Sequence, residues 1–128
     1  AGIFLALFIG GHVFAVRGPS WFLGFHPEFA GVAFSLAYVP GYFYPYYFLL
    51  AVAGLYHGLW GLRVAAQRLG RAAPLGRRAL LIATGAGAVS MAAALLGLGG
   101  WFFDVGNPYD NAYARLVLGI TGGEAPAP

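Results

Sequence analysis

Apolar residues run along this chain in three long blocks, not in the alternating or one-face patterns of a soluble fold. The first block, AGIFLALFIGGHVFAV at residues 1–16, is apolar apart from His12. At 1.5 Å per residue it makes about 24 Å of helix, short of the roughly 30 Å hydrocarbon core of a bilayer. It opens mid-hydrophobic without an initiating Met, so this span, taken as residues 1–17, is expected to continue upstream. Arg17, Gly18 and Pro19 are expected to end it. The second block, residues 42–64, begins with YFYPYY, an aromatic belt suited to a membrane–water boundary, with Pro45 tolerable in its first turn. Its run 42–62 gives about 31 Å of helix, enough to cross. The third, residues 79–103, is rich in Ala and Gly, the composition of a helix packed closely among others. Thr84 and Ser90 can bond back to its carbonyls, and Trp101, Phe102 and Phe103 close its far end. The pattern predicts an all-α membrane protein, three transmembrane helices in a bundle, forming a single membrane-anchor domain over residues 1–128.

The connections differ sharply. Residues 18–41 hold Trp21, Phe22, Phe25 and Phe29, rings suited to the interface. Within them, 27–38 reads as a short helix lying on the membrane, with Pro27 first and Glu28 in its opening turn. His26 is an interfacial residue on this reading. Residues 65–78 carry Arg68, Arg71, Arg77 and Arg78, with Arg63 just before, against Arg17 and Arg115 for everything else. The positive-inside rule places that loop in the cytoplasm. The N-terminus then faces the cytoplasm, while 18–41 and the tail 104–128 lie outside. In the tail, Gly106, Asn107 and Pro108 signal a turn, 109–120 a short surface helix, and GGEAPAP a frayed end.

Composition sharpens this picture. Of 128 residues, 60% are hydrophobic and 9% charged, and mean hydropathy is +0.74. A soluble domain carries about a quarter charged residues, so the lipid bilayer is the expected solvent. Net charge is +3, but the arginines cluster in one loop without interleaved exposed aromatics, which argues against nucleic-acid binding. The absence of cysteine excludes disulfides, iron–sulfur ligation and c-type haem attachment within this sequence. A transporter segment fits poorly, because no acidic residue falls within a span.

The candidate chemistry rests on two imidazoles. An ionisable group at membrane depth is costly and points to function. His57, in GLYHGLWGLR, has Ala53, Gly54, Trp60 and Gly61 at its helical neighbour positions. His12 follows Gly10 and Gly11. Small residues give room for another helix or a flat macrocycle. Arg17 and Arg63 stand one to two turns beyond each histidine, where haem propionates would want a cation. By residue count, His12 lies about 7 Å inside one boundary and His57 about 9 Å inside the other. In a core of about 30 Å the two are some 13–15 Å apart along the normal. Two imidazoles on one iron need nitrogens about 4 Å apart, so these two do not share a metal. Each would serve its own b-type haem, with a second axial ligand from another chain or an N-terminal half. The residues alone leave a second reading open. An intramembrane histidine also serves as an interhelical hydrogen-bond partner, Arg at a helix end snorkels, and the chain is then a haem-free accessory subunit of a respiratory or photosynthetic complex.

GIFLALFIGGH at 2–12 resembles the span of succinate:quinone oxidoreductase and fumarate reductase membrane anchors in which a glycine precedes an axial histidine by ten positions. YFLLAVAGLYHGLWGLR at 47–63 is similar to the next span of these cytochrome b subunits, and residues 74–103 to the one after in hydropathy only. The closest likeness is to the last three of five spans in the two-haem anchors of menaquinone-using bacteria. The resemblance implies an electron-transfer subunit of the bacterial inner membrane. It implies that His57 ligates the haem proximal to the iron–sulfur subunit and His12 the distal one, with Gly11, Gly54 and Gly61 admitting the rings. It implies partners: iron–sulfur and flavoprotein subunits on the cytoplasmic face, and a second membrane-anchor segment carrying the two histidines missing here. Menaquinone or ubiquinone would be the substrate, with Tyr56, Trp60 and Arg63 the nearest contacts, since the family's upstream Ser/Arg quinone signatures are absent.

Overall fold

The structure, a computed structural model, describes residues 1–72 and 76–125. Within them the chain forms five helices and no strand: α1 (Gly2–Leu23), α2 (Phe29–Tyr38), α3 (Pro40–Arg68), α4 (Arg77–Leu98) and α5 (Ala112–Thr121). Helices α1, α3 and α4 are each long and apolar enough to cross a membrane, and the short α2 lies between the first two. The loop 65–78 and the tail 104–128 include residues 73–75 and 126–128, which lie outside the described residues.

The span boundaries differ from those read in the sequence. The first helix does not stop at Arg17. It continues through Gly18 and Pro19, both buried, and ends where Gly24 turns left-handed at φ 73°. Pro19 removes one amide donor, and Gly18 before it offers no Cβ to crowd the ring, so one lost hydrogen bond is tolerated. The resulting 22 residues make about 33 Å, so this helix is long enough as it stands. Helix α3 begins at Pro40, which puts Pro45 in its second turn, and it runs four residues past 64 to Arg68. Helix α4 begins at Arg77 and stops at Leu98, before the aromatic triplet. Gly99 and the left-handed Gly100 (φ 81°) fold the chain back, so that Phe103 packs on Gly97.

Helices α1 and α4 flank α3, both antiparallel to it. The α3–α4 pair is the most extensive and is seated by two notches: Leu55 enters at Gly87 and the Tyr44 phenol at Gly99. Thr84 donates back to the Leu80 carbonyl (2.9 Å), as its position allows.

The short helix expected over 27–38 starts at Phe29, with Pro27 and Glu28 preceding it. It is not a segment merely resting on a surface. It packs against α3, α4 and α5, and with Gly31, Ala33, Phe34, Ser35 and Leu36 buried it is the most deeply covered of the five helices. The Ser35 hydroxyl donates to the Gly31 carbonyl (2.8 Å), which satisfies the one buried polar side chain among the described residues. Phe34 stacks on Tyr38 and meets Tyr109 and Tyr113 edge-on. Helix α5 is fixed over α2 by Asn111, whose Oδ1 accepts from the Ala114 amide (2.8 Å) and whose amide nitrogen donates to Ala30 and Pro108 carbonyls (3.4 and 2.7 Å). Tyr38 and Thr121 share a hydroxyl–hydroxyl bond (3.2 Å). Asp104 and Asn107 close the preceding turns on the Gly106 and Tyr109 amides. The molecule thus has an aromatic end, built by α2 and α5, and an arginine end. Between them most of the surface is bare: only 11%, 6% and 11% of the apolar windows of α1, α3 and α4 are buried.

Candidate functional site

Both spanning histidines lie on the seam between α1 and α3, at different levels. His57, on α3, faces the opening turn of α1. A Cβ placed on Gly2 would sit 3.5 Å from His57 Cε1 and 3.7 Å from Nδ1, so the imidazole lies against bare backbone there. His12, ten residues further along α1, stands beside Tyr46 and Tyr47 of α3, with ring centroids 6.2 and 6.3 Å away. Ten residues of α1 from Gly2 to His12, and ten or eleven of α3 from Tyr47 or Tyr46 to His57, both rise about 15–16 Å. The two helices therefore agree on the vertical separation of the imidazoles, and one metal cannot take both.

The two levels are furnished differently. His12 is half-buried and lines a cleft of about 860 Å³ between α1, α2, α3 and α5. That volume falls in the range of about 300–1,000 Å³ typical of ligand and cofactor sites. Gly11, Phe8, Glu28, Tyr47 and Tyr113 are among its walls. Partial burial raises the Tyr113 phenol above its ordinary value of 10.0, so it is a neutral donor at physiological pH.

His57 is exposed, and Gly54, Gly58 and Gly61 surround it on α3. A Cβ on any of these three glycines, or on Gly10 and Gly11 of α1, would meet nothing within 4 Å. The glycines expected to make room therefore have no neighbour of this chain against them: Gly54, Gly58 and Gly61 face open space, and Gly11 faces the cleft. Tyr56 and Trp60 stack at 6.1 Å with 20° between ring planes. Tyr56 also lines a groove of about 420 Å³ between α1, α3 and α4.

The chain matches no protein-family model, no curated protein and no solved structure. The site must be judged on geometry.

The arginines expected to accompany the histidines point elsewhere. At about 100° per residue, Arg63 is some 120° around α3 from His57, and Arg17 some 140° around α1 from His12. An anion held by either arginine lies beside its histidine and not over it. Arg17 is exposed and Arg63 half-buried. His26 is bonded to the Ser20 hydroxyl through Nε2 (3.0 Å), in keeping with a role at the outer connection. Among the described residues no three of His, Cys, Asp and Glu gather to hold a bare metal ion. Sequence reasoning missed Glu28, Tyr46, Tyr47 and Tyr113 as neighbours of His12. The dense YFYPYY run was the available signal, read there as an interface belt, and only the α1–α3 register turns two of its tyrosines onto the histidine.

Proposed function

We propose that this chain is a haem b-binding membrane-anchor subunit, of the succinate:quinone oxidoreductase and fumarate reductase type, that passes electrons between an iron–sulfur subunit and membrane quinone. The observation that carries the reading is the pair of imidazoles on one seam, about 15 Å apart along it. One opens on a cofactor-sized cleft. The other stands among outward-facing glycines. The residues fit the group: each level offers one imidazole, glycine backbone for close approach, and aromatic or apolar walls. Haem bound at each level supplies one-electron chemistry at a potential set by its axial ligands and burial. His12 and His57 would each hold one such group through a ring nitrogen. Gly11 at one level, and Gly54, Gly58 and Gly61 at the other, let a flat ring reach the backbone. Tyr46 and Tyr47 stand beside His12 at the wall of the cleft. Tyr56 and Trp60 are the proposed quinone contacts, on the strength of their stacked rings and the groove beside Tyr56. A second ligand at each level would come from another membrane-anchor chain or segment, and the arginine end would meet the iron–sulfur and flavoprotein partners in the cytoplasm. A bacterial inner membrane location with the N-terminus cytoplasmic follows from the same reading.

The outward glycines equally suit a helix–helix interface, the feature that favours a haem-free accessory subunit as second reading. A reduced-minus-oxidised difference spectrum of the membrane complex decides. A b-type bis-imidazole spectrum co-purifying with this chain supports the proposal, and a complex free of haem absorption refutes it.

A further inference from the structure

All four carboxylates of the chain, Glu28, Asp104, Asp110 and Glu124, fall in the connection before α2 or in the segment after α4, at the aromatic end. The arginine end therefore has positive charge that no acidic side chain of this protein offsets. At the start of α4 that charge is organised. Arg77 and Arg78 open the helix, no acidic residue lies in its first turn, and the N-cap Gly76 provides no side-chain bond. The Leu80 N–H donates to the Gly76 carbonyl, and the helix N-terminus adds partial positive charge. Leu80 is fully buried and fixes the rotation of the helix. Arg77 and Arg78 then share an open groove of about 580 Å³ with Leu81 and Ile82, which are 52% and 62% exposed. Each arginine sits four residues, about 6 Å, above one of these apolar side chains on the same face.

We propose that this groove binds an anionic phospholipid. The phosphate engages Arg77 and Arg78 at the positive end of the helix, and the acyl chains run down over Leu81 and Ile82. Charge complementarity selects an anion. The two apolar residues directly below, on a helix long enough to cross a membrane, select one that carries hydrocarbon. Free phosphate has no use for Leu81 and Ile82, and an acidic protein surface does not reach to their depth. The site is independent of whether the histidines carry haem.

The protein in nanodiscs of mixed phosphatidylcholine and phosphatidylglycerol, released into native mass spectrometry, tests it. Wild type is expected to retain phosphatidylglycerol over phosphatidylcholine, and R77Q/R78Q to lower that retention roughly tenfold or more. R68Q/R71Q is expected to leave it unchanged, and L81S/I82S to weaken it without any change in charge. Circular dichroism separates loss of the site from loss of the fold, and R77K/R78K, which keeps the charge, is expected to keep the preference. Equal retention of the two lipids, retention indifferent to R77Q/R78Q, or displacement by inorganic phosphate would overturn the proposal. So would loss of a co-purifying protein from R77Q/R78Q with lipid retention intact, which assigns the groove to that protein.

Discussion

At the aromatic end, His12 stands among Tyr46, Tyr47 and the walls of a cleft that the chain largely builds itself. At the arginine end, His57 touches the backbone of Gly2, and the glycines around it face open space. The same two helices make both levels, so the difference comes from what covers the seam. Helices α2 and α5 are held over its outer end by Asn111 and Tyr38, and Tyr113 reaches into the cleft. Among the described residues no short helix does the same at the other end. One level is partly walled by this chain, and the other is open.

Substituting each histidine separately breaks the comparison most severely. His12→Ala and His57→Ala are each expected to remove a different haem, seen as loss of one of two components in the difference spectrum together with one haem by quantification. Loss of both from either substitution would mean that the levels are not independent.

The next effect contrasts glycines that seat a neighbour with glycines that do not. A Cβ at Gly99 collides with the Tyr44 phenol, so Gly99→Ala is expected to cost about 1–3 kcal/mol in denaturant unfolding. Gly58→Ala meets nothing, and helix propensity alone makes it neutral or stabilising by up to about 1 kcal/mol. Its penalty is expected instead in haem occupancy at the His57 level. If Gly58→Ala destabilises the isolated chain as Gly99→Ala does, the face is not open.

Asn111→Ala tests what covers the upper level. Loss of the cap on α5 is expected to cost about 1 kcal/mol and to speed hydrogen exchange in α5 while leaving α4 unchanged. The smallest effect is with pH. Because the Tyr113 phenol is raised in the fold, its contribution is fully present below pH 10.0 and is lost as pH rises through the folded value. Unfolding followed across that alkaline range is expected to weaken in wild type and less so in Tyr113→Phe.

The three spans and their order were legible from hydropathy, because blocks of spanning length have no soluble alternative. Their ends were less so. Arg17, Gly18 and Pro19 look like a stop, yet one missing amide does not end a helix that can continue to a glycine able to adopt positive φ. The core of α2 was hidden for a different reason: a ten-residue segment apolar on every side reads the same whether lipid or protein covers it. At the site, the glycines around His57 were visible because they lie on its own helix. The tyrosines around His12 come from a second helix, and their approach depends on a register that no local pattern encodes.

The distribution of charge has a last consequence. With five of its seven guanidinium groups gathered at one pole and every carboxylate side chain at the other, the molecule is an oriented rod. Turning it over would drag five cations through hydrocarbon, so all copies stand the same way up. A membrane filled in this manner presents a single kind of face to each compartment.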